Sequence, residues 1–492
     1  MFINCLLIIF DMSLSLVNVG LESTQYYGLI SLVSYIKKKI PNYPINIIYF
    51  GDKVYLGKTT LESIIDQLEK KKPKLIGISS MSVDYSKAIK LAKLIKENKI
   101  LKKSIIIVGG VHISTLPDSL NENIDIGVIG EGEETLTEII SFFEKNNYKL
   151  DKKGLKDIKG LVFHNKDKLI KTDTRELIKN LDDIPLPHPD YAKLNVSPKE
   201  SFFFKKKKQA MMLTSRGCPY RCVFCSTSKF WGFRIRFVSA KRVADEIMMW
   251  YNNYGVTDIV IWDDLFTVNA KRLKDIAEIL KEKKIIGKIE FGVCCRSNTL
   301  TEEVCKVLKE LNVTGLNFGF ESGSPRILDY LKKGSVTVEE HKRAILLARK
   351  YKLKVSGSFI FGSPKERIKD MKKTLQFMDW CKKNKVYHLW SLIMTPFPGT
   401  EIWEIAKKKG VVSDNMDWEK LSLMGDTQKH SLVMDSKVDK EEFYKVFKKS
   451  REMFMSSIFK MWAKRLLKSP IPTLKLVFSN GRIKRFLKKD FI

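Results

Sequence analysis

From Phe2 to about Phe143, short apolar runs rich in β-branched residues alternate with stretches whose apolar positions recur every three to four residues. The short runs predict strands and the 3.6-residue period predicts helices laid against them. The predicted strands are Ile3 to Phe10, Ile45 to Phe50, Leu75 to Ser79, Ile105 to Val108 and Ile126 to Ile129. Between Tyr85 and Lys96, Ala88, Leu91, Ala92 and Ile95 fall on one face of a helix. Such alternation is the pattern of a doubly wound, Rossmann-like parallel sheet, whose ligands sit beyond the carboxyl ends of the strands. Those ends carry Ser79, Ser80, Met81 and Ser82, then Gly109, Gly110, Val111 and His112, then Gly130, Glu131, Gly132 and Glu133.

A hairpin is predicted over Gly160 to Thr172, and the proline-bearing stretch Ile184 to Pro198 reads as a linker because proline disfavours both helix and central strand. From Gln209 to about Lys409 the alternation resumes with longer helices and strands around Ala210, Ile259, Ile289, Leu316, Phe359 and Leu392. Six strand–helix units predict a partial (β/α)6 barrel of the TIM type, with a site again built at the strand ends. The division is therefore 1–150, a doubly wound domain; 151–204, hairpin and linker; 205–409, partial barrel; and 410–492, a basic, mostly helical region.

The chain has 492 residues, 44% of them hydrophobic, enough for two or three cores. Its formal net charge of +32 fits a nucleic-acid partner, an anionic membrane or a lysine-biased composition. Lysines are spread over every predicted helix face, including runs such as Lys70 to Lys72 and Lys205 to Lys208, which favours composition and speaks against nucleic acid. The apolar opening from Cys5 to Phe10 is too short to span a bilayer and reads as a buried first strand. Eight cysteines in so long a chain form no disulfide framework and fit a reduced, cytoplasmic setting.

Three of those cysteines, Cys218, Cys222 and Cys225, follow the first barrel strand with spacing CxxxCxxC. Cuboidal iron–sulfur clusters are usually held by four thiolates, so three on one loop leave an iron open to a substrate. Arg216, Arg221 and nearby backbone amides are expected to favour the thiolate forms. A zinc knuckle is the rival reading, but it wants a fourth ligand and no His or Cys lies within sixty residues downstream. Cys294, Cys295, Cys305 and Cys381 read as buried small hydrophobes, with Cys294 and Cys295 ending a barrel strand.

The cysteine spacing, its place after the first strand of a partial barrel, and Phe224 before the last cysteine resemble the radical S-adenosylmethionine superfamily. The resemblance implies a 4Fe-4S cluster on Cys218, Cys222 and Cys225, chelation of the methionine amino and carboxylate groups by the open iron, and one-electron cleavage to a 5′-deoxyadenosyl radical. By the same resemblance Phe224 contacts adenine. Asp264 matches a position that binds the methionine amino group, and Arg296 and Glu321 match positions that hold the carboxylate and the ribose or amino group. Gly319 and Gly323 are expected to let backbone approach the ligand closely. The turns Phe361 to Glu366 and Pro396 to Thr400 read as scaffold.

The front sheet resembles the cobalamin-binding domain found ahead of many such barrels. That implies cobalamin at Ser79, Ser80, Gly109, Gly110, His112, Gly130, Glu131 and Gly132. Where cobalamin domains supply a lower ligand they carry Asp-x-His-x-x-Gly after the first strand, whereas Asp11, Met12, Ser13 and Leu14 contain no histidine. His112 does not complete the motif, since Gly110 and Thr115 stand at its Asp and Gly positions. Cobalamin is then expected to bind without a histidine ligand, with His112 either a loop residue near the corrin or a satisfied surface histidine.

The resemblance points to a cobalamin-dependent methyltransferase that methylates an unactivated carbon. The alternatives are a radical cyclase, rearrangement or oxidation enzyme, or an RNA- or membrane-interaction protein carrying a structural cluster. The implied partners are a small-molecule or lipid substrate and an external electron donor such as a flavodoxin or ferredoxin. The tail from Phe443 to Ile492 is read as a cap on the barrel mouth, with peripheral membrane contact as the alternative.

Overall fold

The computed structural model describes residues 13–20, 26–48, 61–199, 207–421 and 437–453. It divides into two compact units.

The front unit comprises residues 1–178, 184–194 and 417–419. Its strands are β1 (Leu14–Asn18), β2 (Ile45–Ile48), β3 (Leu75–Ser79), β4 (Ile105–Gly109), β5 (Ile126–Val128), β6 (Leu161–Asn165) and β7 (Lys168–Lys171), ordered β2-β1-β3-β4-β5-β6-β7. The first five are parallel, and the predicted hairpin adds β6 and β7 antiparallel at the edge. Helices Tyr26–Lys39 and Gly132–Lys145 bury Leu29, Ile30, Val33, Ile139, Ile140 and Phe143 against one face of this sheet. Ala88, Leu91, Ala92 and Ile95 are buried as their spacing predicts.

The expected strand Ile3 to Phe10 lies outside the described residues. A strand that was not expected, Leu14–Asn18, lies between β2 and β3. Ser15 and Asn18 break its apolar run in the sequence, yet both are fully buried. A parallel strand covered on both faces has no polar side to alternate with, so a small serine passes for core.

The second unit comprises residues 179–183, 195–416 and 420–492. Its strands are β8 (Ser197–Lys199), β9 (Lys207–Met212), β10 (Ser215–Arg216), β11 (Arg236–Phe237), β12 (Asp258–Ile261), β13 (Glu290–Cys295), β14 (Val313–Glu321), β15 (Lys354–Phe361) and β16 (His388–Ile393). The large sheet runs β16-β15-β14-β13-β12-β9-β8, with all six predicted barrel strands parallel. β8 is an unpredicted antiparallel strand on the edge, the one place in a sheet that accepts its Pro198. Side chains of Ser239, Asn269, Thr301, Thr337 and Thr400 cap the starts of five helices, fixing where each leaves its loop.

Lys207, from the basic run Lys205 to Lys208, pairs with Glu290 at 2.5 Å. Of the C-terminal region, a helix over 440–453 is described. Its buried Phe443 packs so near Gly362 that a methyl there would lie 3.1 Å from the ring, and Phe447 meets Phe361 edge-on. The tail aromatics from Phe454 onward lie outside the described residues.

Candidate cofactor-binding site

The cysteine loop is held in place by its backbone. Val223 is buried, its N–H donates to Leu331 O (3.0 Å) and its carbonyl accepts from Ile402 N–H (3.3 Å), which ties the loop to the helices after β14 and β16. Gly217 has φ +101° and donates to Asp264 Oδ2 (3.2 Å); a Cβ there would overlap Arg234 O. Cys218, Cys222 and Cys225 are half-buried, and none forms a disulfide among the described residues. Among the described residues no three or more His, Cys, Asp or Glu side chains converge as on a single metal ion.

Burial pushes the Cys218 thiol up to about 11, with the negative neighbours Cys225, Asp264 and Cys222 adding to the rise. Arg216 covers the ring of Trp231 (5.7 Å) and Arg221 that of Phe233 (4.2 Å). A cation from β13's end also meets the loop. Arg296 lies 3.9 Å from the Tyr220 ring centroid, and its Nη1 is 3.5 Å from Cys222 Sγ. Its Nη2 donates to Ser335 Oγ, and Asn298 Nδ2 donates to Tyr220 Oη at 3.0 Å. Arg296 Nε and Asn298 Oδ1 remain buried without a partner. An orphaned cationic donor beside the cysteines suits an anionic group of a ligand.

The two carboxylates closing β12 divide their work. Asp263 is buried, accepting from Thr214 and Ser215 through backbone and hydroxyl groups, and so fixes the strand end that leads into the loop. Asp264 faces outward beside Cys218, its carboxyl raised to about 6, mainly by desolvation and then by Asp263.

Glu321 sits at φ +57° and is buried with Lys332, whose Nζ donates to Oε1 at 2.8 Å. The same Nζ lies 5.5 Å from the ring centroid of Phe224. Lys332 was not singled out by the sequence because its helix position is ordinary; only folding brings it between Phe224 and Glu321. Gly319 and Gly323 make room for protein rather than ligand. A Cβ at Gly319 would collide with the Glu321 carboxylate, and one at Gly323 would lie 2.6 Å from Phe377 Cβ. In the turn after β15, buried Glu366 accepts from Gly362 N–H (2.6 Å) and Ser363 N–H (3.2 Å), consistent with a scaffold role.

In the front unit, strand order reverses between β1 and β3, the crevice where ligands of such sheets bind. Asn18, Ser79 and Gly109 stand in one register row there. Asn18 is buried with Nδ2 unpartnered, and the sequence did not mark it because the strand it ends carries no continuous apolar run. Gly110 has φ +109°, and a Cβ on it would lie 2.5 Å from Ser80 O. Gly130, at φ +86°, faces open space. Gly132 opens its helix one residue beyond Glu131.

Two expected cofactor contacts are corrected. His112 is fully buried, its Nδ1 3.2 Å from Ser82 Oγ and its Nε2 2.9 Å from Ser119 Oγ, with its ring against Tyr85 (3.9 Å) and Trp418 (4.4 Å). It is a satisfied core histidine. Glu131 is buried and accepts from Ile178 N–H at 2.6 Å, anchoring the chain after the hairpin. Ser80 is buried as well, its hydroxyl turned to Met81 O, so the edge left open consists of Ser79 and the glycines.

Residues 212–378 match the model of the radical SAM superfamily, and residues 33–140 match the B12 binding domain. The chain is 33% identical over 376 residues to an uncharacterized methyltransferase, PH0819, of Pyrococcus horikoshii, covering 75% of this chain and 77% of that one. The chain belongs to the cobalamin-binding radical S-adenosylmethionine enzymes. Its fold is similar to two solved structures with that pairing of domains. One is the methyltransferase TsrM from Kitasatospora setae, described with cobalamin and a 4Fe-4S cluster (TM-score 0.64, 18% identity, 82% of this chain and 79% of that one). The other is the cobalamin-dependent radical enzyme OxsB, described with aqua-cobalamin and S-adenosylmethionine (TM-score 0.68, 20% identity, 97% and 72%). As in other cobalamin-binding radical S-adenosylmethionine enzymes, the cofactors are a 4Fe-4S cluster, S-adenosylmethionine and cobalamin. Among the described residues no helix is long and apolar enough to cross a membrane.

Proposed function

We propose that this enzyme methylates an unactivated carbon of a small molecule, with Cys218, Cys222 and Cys225 as the cluster ligands. When bound, the cofactors supply one-electron cleavage of S-adenosylmethionine and the methyl group to be transferred. The protein's part is to hold, orient and exclude water. Arg296 neutralises charge at Cys222 and offers its spare Nε to the carboxylate of S-adenosylmethionine. Asp264 accepts from the ammonium, beside the loop it braces through Gly217. Phe224 faces adenine, and the Lys332–Glu321 pair fixes the wall behind it. Ser79, Gly109, Gly110 and Gly130 line the open edge for cobalamin. No histidine follows β1 in 19–25, which supports binding without a histidine ligand from that loop.

The assignment divides the chain as 1–150 for cobalamin and 205–409 for cluster and S-adenosylmethionine, with the helix over 440–453 against the barrel; the Phe443 contact at Gly362 supports the last. The electron is assigned to an external donor such as a flavodoxin or ferredoxin. A reducing cytoplasmic setting is assigned with it.

The observation that carries the reading is Arg296 set against Cys222 at a three-cysteine loop. Anaerobically reconstituted protein, given dithionite and S-adenosylmethionine labelled in its methyl group with a small-molecule extract, should release 5′-deoxyadenosine and pass label into a new product. 5′-Deoxyadenosine with no labelled product would replace methylation by cyclisation, rearrangement or oxidation.

A further inference from the structure

The cysteine loop and the arm that follows it are one-sided in charge. From Ser201 to Ala244 the chain carries eleven Lys and Arg and no Asp or Glu. Folding neutralises the flanks of this segment and leaves its centre positive. Lys207 pairs with Glu290 (2.5 Å), Lys241 with Asp245 (2.8 Å) and Arg242 with Glu246 (3.1 Å). Arg221, Lys229 and Arg234 between them are exposed, and among the described residues none of the three pairs with a carboxylate.

That centre is built against the three cysteines. Arg221 stands between Cys218 and Cys222, and Lys229 lies on the short helix Ser226–Phe230 that starts directly after Cys225. The arm then turns at Gly232 (φ +71°) and Phe233 (φ +55°), and β11 pairs with β10. It passes so near Gly217 that a Cβ there would lie 3.0 Å from Trp231 Cβ and overlap Arg234 O. A bulky residue in the left-handed region is strained, and such strain persists where the placement matters. At Phe233 the placement sets the ring 4.2 Å from the Arg221 guanidinium, as the Trp231 ring meets those of Arg216 (5.7 Å) and Arg236 (5.3 Å). Guanidinium groups already held on rings lose less freedom when a partner docks.

We infer that Arg221, Lys229 and Arg234 form the landing surface for a small acidic one-electron carrier protein, which delivers its electron to the cluster held by the adjoining loop. The inference rests on the proposed enzymatic reading and gives its electron donor a place to dock. One electron leaves the carrier and enters the cluster on Cys218, Cys222 and Cys225, and no proton or leaving group moves in that step. Opposite charge on the two surfaces raises the rate of encounter more than the lifetime of the complex, which suits a partner that must leave after each transfer. Redox encounters also use the smallest interfaces, in keeping with a patch of three cations. A nucleic acid would need a continuous track of cations, and the ion pairs of Lys207, Lys241 and Arg242 interrupt such a track on both sides in sequence.

The test uses the full chain with its cluster and cobalamin reconstituted, and an acidic flavodoxin and an acidic ferredoxin as probes. Titration with either oxidised carrier should give a Kd that rises with salt. Lys229→Glu combined with Arg234→Glu should weaken that binding about tenfold at low salt, and Lys229→Gln with Arg234→Gln should fall between the two. With the reduced carrier, 5′-deoxyadenosine release by the charge-reversed variant should slow to match, while reduced methyl viologen, a small cationic reductant, drives variant and wild type equally. Cluster absorption reports that each variant is folded. Unchanged carrier affinity in both variants, or an equal loss of rate with methyl viologen, overturns the inference. Binding of single-stranded RNA but of neither carrier overturns it in favour of a nucleic-acid surface. A wild type that methyl viologen drives but neither carrier binds overturns the docking surface alone; absence of 5′-deoxyadenosine with methyl viologen overturns the enzymatic reading beneath it.

Discussion

His112 and His341 are buried imidazoles whose pKa falls to about 3, for His112 through desolvation and for His341 through desolvation with Lys332 and Arg296 adding to it. Because the unfolded chain protonates near 6.5, it binds more protons than the folded one between about 3 and 6.5, so stability rises with pH across that window and is complete above it. Each histidine should therefore cost about 1.4 kcal/mol per pH unit as pH falls below 6.5. Urea midpoints of wild type and His112→Gln at pH 7 and pH 5 should show the variant losing less on acidification. A different balance governs Lys332 and Glu321, both buried. Removing one partner of such a pair costs about 3–5 kcal/mol, because the other charge stays uncompensated. Lys332→Met should lower the urea midpoint accordingly, and adding Glu321→Gln should recover part of it. The sequence marked Glu321 through its motif and gave no sign of Lys332.

At the scale of elements, most of what the sequence predicted were repeating patterns. The six barrel strands and the hairpin appear where apolar runs and turn residues place them, since those signals are local. β1 was not legible because its polar positions, Ser15 and Asn18, are buried by neighbours on both sides. The short segment at Trp418 was equally illegible. Its indole is 2% exposed against His112 and Tyr85, and the backbone N–H of Trp418 donates to Ser86 Oγ at 3.1 Å, more than three hundred residues back along the chain. Trp418→Ala should destabilise the front unit by about 3–5 kcal/mol, the cost of emptying a core tryptophan site, read as a lower melting temperature. Gly110 tests backbone geometry instead. Gly110→Ala combines positive φ with a Cβ 2.5 Å from Ser80 O, whereas Gly130→Ala meets nothing within 4 Å. Circular-dichroism melts should therefore drop further for Gly110→Ala than for Gly130→Ala.

For the whole molecule, replacing Cys218, Cys222 or Cys225 by alanine should abolish cluster absorption and 5′-deoxyadenosine release while leaving corrin absorption in place, since the cobalamin domain contributes none of the three thiols. Absorption spectra of anaerobic preparations measure both. What the sequence by itself determined was the pairing of two α/β domains and the three-cysteine loop. Periodicity and close spacing are properties of a few neighbouring residues, and they survive whatever the chain does elsewhere. Tertiary structure decided which polar groups are left to meet a ligand. His112, Glu131, Gly319 and Gly323 were spent inside the protein, while Lys332 and the orphaned Nε of Arg296 were brought to the barrel site and Asn18 to the crevice of the front sheet. Burial and partner choice depend on atoms far apart along the chain, and a linear pattern carries no record of them.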